Sequence, residues 1–329
     1  MVEDVEDQYD ATGRLQMTRR FTKESLVKGQ PAQIDCLEID GQTYTVSKGL
    51  ATVVSLEDEW YEDVAHPHSV IDALKDSRVG ADLFTFWQRL PDVQPQFDFY
   101  KELETIAALP IISYEHWWNK QIKSRTRTLI RKAEKAIEVR ETTYDDAFVQ
   151  GMTDVFNETP VRQGRSFWHY GKTVDTVRRQ FSRYLFREDL IGAYHQGDLI
   201  GFMMLGNAGR YAVTGQIISK IEHRDKATNN LLIAKAVEIC ERKKLAYLVY
   251  LHWADGSLAE FKRRCGFEPT LVPRYYVPLS AKGRLLLRLG LHRGWKHRLP
   301  SSVTARLKNL RRRWFDLQHA EEPRTACQE

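Results

Sequence analysis

Cysteine is scarce in this chain, with four in 329 residues (Cys36, Cys240, Cys265 and Cys327). Their separations fit no zinc spacing, and so few scattered thiols exclude a disulfide-stapled secreted scaffold. Long apolar runs are missing too, since none approaches the roughly 18 to 20 residues that a membrane span needs. The first ten residues hold Glu3, Asp4, Glu6, Asp7 and Asp10 and no cation. That is the reverse of a basic secretory leader. Together these absences predict a cytoplasmic chain with reduced thiols and no metal. Cys240 lies on an apolar helix face and reads as a buried thiol.

Negative charge is absent from one long stretch. From Ser280 to Trp314 there are eleven Lys or Arg and no Asp or Glu. The chain as a whole carries +5, so the remainder is net acidic. The basic tail is therefore a separate electrostatic object. Elsewhere, 42% apolar and 28% charged residues describe an ordinary globular composition. The length suits two domains, or one large domain with extensions.

Residues 1–32 are polar and poorly periodic, and are expected to be a disordered segment or an arm. From Gln33 the pattern alternates through "IDCLEIDGQTYTVSKGLATVVSL", with a hairpin signal at Asp40-Gly41. A short helix is expected near Ser69–Asp76 and a strand in "DLFTFWQRL". A helical centre is expected in "FDFYKELETIAALPI", stopped at Pro110. Residues 33–112 thus read as a small α/β lobe. The segment "YEHWWNKQIKSRTRTLIRKAEKAIEVRE" reads as one long basic helix running into a strand. Two helices follow, then a hairpin at Gln196-Gly197-Asp198 and a third strand. A polar loop and a helix over 229–243 come next, then strand, short helix and last strand. The order is β-α-α-β-β-β-α-β-α-β.

That order resembles the core of the GNAT acyltransferase superfamily, and most nearly its FemAB-like branch and the bacterial GNAT-like proteins near it. Four stretches carry the likeness: "KSRTRTLIRKAEKAIEVRE", "DLIGAYHQGDLIGFMML", "NNLLIAKAVEICERKKLAYLVY" and "SLAEFKRRCGFEP". The resemblance covers about residues 120–280. It implies a mixed, mostly antiparallel central sheet flanked by helices over 113–280. The basic tail over 281–329 reads, from its own pattern, as amphipathic helices. It also implies that 33–112 is a reduced first lobe. The activity implied is transfer of an acyl or aminoacyl group from acyl-CoA or aminoacyl-tRNA to a small-molecule or peptide amine. GNAT acetyltransferases hold the coenzyme A pyrophosphate on an Arg/Gln-x-x-Gly-x-Gly/Ala loop. Here that place reads "HRDKATNN", with cations and a helix start but no glycine. FemAB-like proteins lack the glycine signature as well.

Acyl transfer asks for a deprotonated amine, a polarised carbonyl and their juxtaposition. On the donor side the candidates are Gln216 and Lys220 on the third strand, and Arg224, Lys226, Asn229 and Asn230 at the following loop and helix start. Lys262 joins them, because it is similar to the lysine of the Phe-Lys pair in FemAB-like proteins. An ordinary solvated lysine is the alternative. Tyr250 can protonate a leaving group, or can be a plain strand aromatic. His252 can relay a proton or be merely polar, and Asp255 is expected to cap the short helix at Ser257.

The acceptor wall is expected in "NETPVRQGRSFWHYGKT". Arg162 and Arg165 would hold a carboxylate or phosphate there, beside Gln163 and Tyr170. Trp253 joins this set, with His169 or Glu158 as the base. An ordered, hydrogen-bonded surface loop is the other reading. The amphipathic tail suits tRNA phosphates or an anionic inner membrane surface, or it packs its Leu face on the protein itself.

Overall fold

A computed structural model describes residues 5–9, 15–27, 30–162 and 164–293. Among these residues, thirteen strands form one sheet in the order β1-β2-β3-β4-β5-β6-β15-β7-β14-β13-β12-β11-β8. The N-terminal strands are β1 (Val5–Tyr9), β2 (Leu15–Val27), β3 (Gln30–Ile39), β4 (Gln42–Lys48) and β5 (Thr52–Leu56). Then come α1 (Pro67–Asp76), β6 (Leu83–Trp87) and β7 (Tyr100–Pro110). The middle of the chain holds α2 (Tyr114–His116), α3 (Ser124–Glu134), β8 (Glu138–Thr142) and α4 (Asp146–Asn157). A small separate ribbon, β9 (Val161–Arg162) with β10 (Arg165–Ser166), precedes α5 (Val174–Phe181). The last part holds β11 (Glu188–His195), β12 (Asp198–Asn207), β13 (Tyr211–Ser219), α6 (Thr228–Arg242), β14 (Tyr247–His252), α7 (Ser257–Arg264), β15 (Glu268–Pro278) and α8 (Ala281–Arg288).

Pairing in the sheet is antiparallel except at β5–β6 and β13–β14. The mixed, mostly antiparallel sheet with flanking helices is the one expected from the order of elements. Its two hairpin signals close as two-residue turns with left-handed backbone at Asp40-Gly41 and Gln196-Gly197. Helix α6 packs on one face of β11–β14 with α3 and Trp117, burying Ile191, Met203, Leu232 and Val237. Helices α4 and α5 cover the opposite face through Phe148, Met152, Phe202 and Met204. The alternation of Phe202 and Met204 against Met203 and Leu205 on β12 sends side chains into both layers. A further core, under α1, gathers Leu37, Tyr44, Phe84, Phe86 and Tyr275.

Three local expectations are corrected. The segment with an expected helical centre is β7, which lies between β14 and β15. Its run Ile106–Leu109 is buried throughout, and a strand buried on both faces loses the alternation that marks strands. The long basic helix is broken. Trp117–Gln121 forms a π turn, Ile122 is extended and buried, and the helix restarts at Ser124. Arg127 pins the break by donating to the carbonyls of Trp118 (2.8 Å) and Ile122 (2.9 Å). Within the first 32 residues, expected to be a disordered segment or an arm, β2 pairs with β3 from Val27↔Gln30 to Thr18↔Ile39. Polar edge strands carry little apolar pattern to read.

The tail begins as α8, capped by Ser280, whose hydroxyl accepts from the Gly283 N–H. Leu286 is buried on Ala51 and Leu83, whereas Leu285 and Leu289 are exposed. Lys282 pairs with Asp82, and Arg293 bonds to Glu102 and Glu104. The rest of the tail lies outside the described residues. No helix among the described residues is long and apolar enough to cross a membrane.

Candidate functional site

The site begins where two parallel strands part. β13 and β14 pair only over Tyr211–Val213 and Tyr247–Val249. Thr214 Oγ1 donates to the Val249 carbonyl (3.3 Å) at the fork. Beyond it β13 is displaced by a bulge opposite Met204/Leu205, and β14 by one between Val249 and His252. The facing edges of the two strands then have no ladder to each other. A cleft of about 560 Å³ opens at this end, bounded by Ile217–Ile221, the start of α6, Tyr250, and Ser257, Leu258 and Phe261 of α7. Arg162 and Phe167 close it from the loop between α4 and α5.

The β14 bulge carries its own pin. Leu251 has left-handed backbone (φ 49°), a costly state for a branched residue. Lys262, 2% exposed, donates from Nζ to the carbonyls on either side, Tyr250 O (2.6 Å) and His252 O (2.7 Å). Its ammonium also sits 4.3 Å from the Tyr250 ring centroid. Burial pulls its pKa down to about 8, which leaves it charged at neutral pH. Gly266, in left-handed conformation, ends α7 by letting Phe267 N bond back to the Lys262 carbonyl.

The helix start is uncapped. A 3₁₀ turn over Arg224–Lys226 runs into Ala227, left-handed at φ 55°, and α6 begins at Thr228 with no side-chain cap. The backbone thus takes a glycine-like turn without a glycine. The first amides of α6 point out of the helix with partial positive charge. Among the described residues, Thr228 Oγ1 and Asn229 Oδ1 are buried with no hydrogen-bond partner, and so is Arg162 Nε. All three residues line the cleft, together with the cations Lys220 and Arg224. Buried orphan atoms are uncommon, and these three gather around one cleft.

Arg162 is otherwise fully used in building the wall. Its Nη1 donates to Ser219 O (2.8 Å), and its Nη2 to Val155 O (3.0 Å) and Glu158 Oε2 (2.8 Å). Glu158 Oε1 accepts from the Glu222 N–H (2.9 Å), so this carboxylate ties the end of α4 to the loop before α6. Tyr250 borders the cleft, and burial raises its pKa, so its hydroxyl keeps its proton.

Of the expected donor residues, Lys220, Arg224, Asn229 and Asn230 line the cleft. Gln216 sits on β13 just before it, and Lys226 lies beside Asp225 outside the lining. Lys262 turns inward to the β14 carbonyls. Among the expected acceptor residues, Arg162 reaches the cleft. Arg165 is exposed on β10, Tyr170 is exposed, and Gln163 lies outside the described residues. Trp253 donates its backbone N–H to Thr105 O, and its ring lies under the Arg263 guanidinium.

His169 is drawn away from the cleft. It is 2% exposed, stacked 4.3 Å from Phe156, with Nδ1 3.0 Å from Lys172 Nζ. Burial first, then the neighbouring Lys172 and Arg162, push its pKa down to about 3, so it stays neutral. His252 stacks edge-on against Trp60 and Trp87. Asp255 does not cap α7, whose N-cap is Gly256 without a side-chain bond. Thr228 and Phe167 were not foreseen. An ordinary threonine beside two asparagines gives no signal of its own in the sequence.

No family model and no curated protein sequence matches the chain. Among solved structures, FemX is similar over 82% of this chain and 90% of its own, with 10% identity and a TM-score of 0.52. The chain has the GNAT-like fold of FemX. L-PGS from Bacillus licheniformis is similar over 76% of this chain and 86% of its own, at 14% identity and a TM-score of 0.49. The C-terminal domain of a putative lysylphosphatidylglycerol synthetase from Agrobacterium fabrum is similar over 78% and 88%, at 12% identity and 0.49.

Proposed function

We propose that the chain is an acyltransferase that moves an acyl or aminoacyl group from a phosphate-bearing donor, an acyl-CoA or an aminoacyl-tRNA, to an amine. The observation that carries this reading is the fork between β13 and β14 with three unpartnered polar atoms and two cations around it. The α6 start, Lys220 and Arg224 would receive the donor's phosphate. The unpaired edges beyond the fork would offer backbone N–H groups to the reacting carbonyl as negative charge develops on its oxygen. Tyr250, still protonated, would donate a hydrogen bond to the leaving group. Arg162 and Phe167 would hold the outer wall. A cytoplasmic location, with the basic tail meeting tRNA or an anionic membrane surface, suits such a reaction.

The test is binding and turnover. Isothermal titration with acetyl-CoA, palmitoyl-CoA and charged tRNA should find one donor that binds. Arg224→Ala together with Lys220→Ala should weaken it by about tenfold or more, the scale of losing charge-assisted hydrogen bonds. Absence of binding by all three donors would leave the cleft without the proposed role and favour a non-catalytic binding protein.

A further inference from the structure

Helix α8 carries leucines on two opposite faces. Its inner face seats Leu286 on Ala51 and Leu83, with Gly283 close on the Asp82 backbone. Leu285 and Leu289 point the other way, 55% and 43% exposed. They stand four residues apart, so they lie along one stripe of the helix. Arg284 and Arg288 repeat at the same spacing, one position before each leucine, and both are exposed. Lys282 and Arg293 are held by carboxylates of the sheet, but among the described residues neither Arg284 nor Arg288 has an ion pair. Leu50, 51% exposed, precedes Ala51 in the chain and places a third leucine at this corner of the molecule.

The inner face already anchors this helix, so the outer leucines add nothing to the core. A single exposed leucine is ordinary, but a leucine stripe edged by free guanidinium groups has the make-up of a contact surface. Charge narrows the partner. From Ser280 to Trp314 the sequence holds eleven Lys or Arg and no Asp or Glu. A nucleic acid would engage the cations and leave the leucines in water. An anionic bilayer engages both. Its acyl-chain boundary takes up the leucines, and its phosphates meet arginines whose long stems reach from an immersed helix to the headgroups.

We propose that the outer face of α8 docks on an anionic phospholipid membrane, with Leu285 and Leu289 entering the acyl-chain boundary and Arg284 and Arg288 meeting lipid phosphates. Two leucines make a weak anchor, and stable attachment takes a second signal. The acid-free basic run that begins in α8 supplies it as long-range attraction to the surface. Binding is therefore reversible and weakened by salt. The proposal stands on this surface alone and does not depend on the acyl-transfer reading.

The experiment is co-sedimentation of the full chain with vesicles of phosphatidylcholine alone, or of phosphatidylcholine and phosphatidylglycerol in equal parts. Wild type should pellet with the anionic vesicles, stay in solution with the neutral ones, and be released by high salt. Leu285→Ser together with Leu289→Ser should weaken binding to the anionic vesicles by about tenfold or more. Arg284→Gln together with Arg288→Gln should do the same. All four side chains are exposed, so both variants should unfold at the wild-type temperature. Failure of wild type to pellet with anionic vesicles overturns the proposal, including the case in which it binds double-stranded RNA instead. Equal pelleting of wild type and the leucine variant overturns it too, because the attraction is then that of a polycation for any polyanion. A lowered unfolding temperature in the leucine variant would mean that the chain itself covers the pair, and would overturn it as well.

Discussion

Replacing Lys262 with methionine separates a pin from a solvated lysine. The native ammonium bridges two carbonyls across the left-handed Leu251 and is 2% exposed. Losing two hydrogen bonds from a charged donor costs about 3–6 kcal/mol. Removing a buried charge returns part of that. The fall of the pKa from its ordinary 10.5 to about 8 corresponds to about 3 kcal/mol of penalty on the charged form. Net destabilisation at pH 7 is therefore about 0–3 kcal/mol. The pH dependence decides. Between pH 8 and 10.5 the unfolded chain holds a proton that the native lysine has released, so stability from this group rises with pH across that window. Urea denaturation of wild type and Lys262→Met from pH 7 to 10.5 should show wild type gaining about 3 kcal/mol relative to the variant. The other lysines and tyrosines titrate in both proteins and subtract out. Parallel curves would refute the claim that the ammonium is sequestered at the bulge.

Glu188→Gln carries the opposite sign. A pKa raised from 4.5 to about 7 gives a contribution fully present below pH 4.5 and lost as pH climbs through 7. Wild type should lose about 2–3 kcal/mol relative to the variant over that window, measured by the same denaturation. Ala227→Gly relieves left-handed strain at the α6 start and should stabilise by up to about 1 kcal/mol in thermal unfolding. A loss of stability would mean that Ala227 is unstrained. Arg162→Ala removes bonds to Ser219, Val155 and Glu158 and should cost about 3 kcal/mol. Arg162→Lys should not restore it, because a point charge cannot serve three acceptors placed around a planar fork. Full rescue by lysine would contradict that geometry.

The order of elements from Glu138 onward was legible in the sequence because each element has its own local signal. Gln196-Gly197 admits the left-handed turn between β11 and β12. Leu231, Leu232 and Val237 repeat at helical spacing in α6, and Gly266 supplies the left-handed end of α7. The cations and the helix start at 220–230 were legible for the same reason, and four of those residues do line the cleft. β7 was not legible, since the apolar run Ile106–Leu109 becomes a strand only by lying between β14 and β15. The break at Ile122 is likewise fixed from outside α3, where the chain must bury Trp117 and Ile122 against α6.

The inward turn of Lys262 follows from a bulge in β14, the element before α7. The withdrawal of His169 follows from a stack on Phe156 and Phe181 that brings together α4, its loop and α5. The packing of the Tyr61 ring over Gly206 likewise joins residues far apart in the chain. Sequence by itself determined the order of the main elements from Glu138 onward and the charge near the α6 start, because propensity, turn chemistry and periodicity act within a few residues. Tertiary structure alone decided where β13 and β14 part, which polar atoms are left without partners, and which charged groups are sealed from water. Those outcomes depend on desolvation and on contacts between residues far apart in the chain.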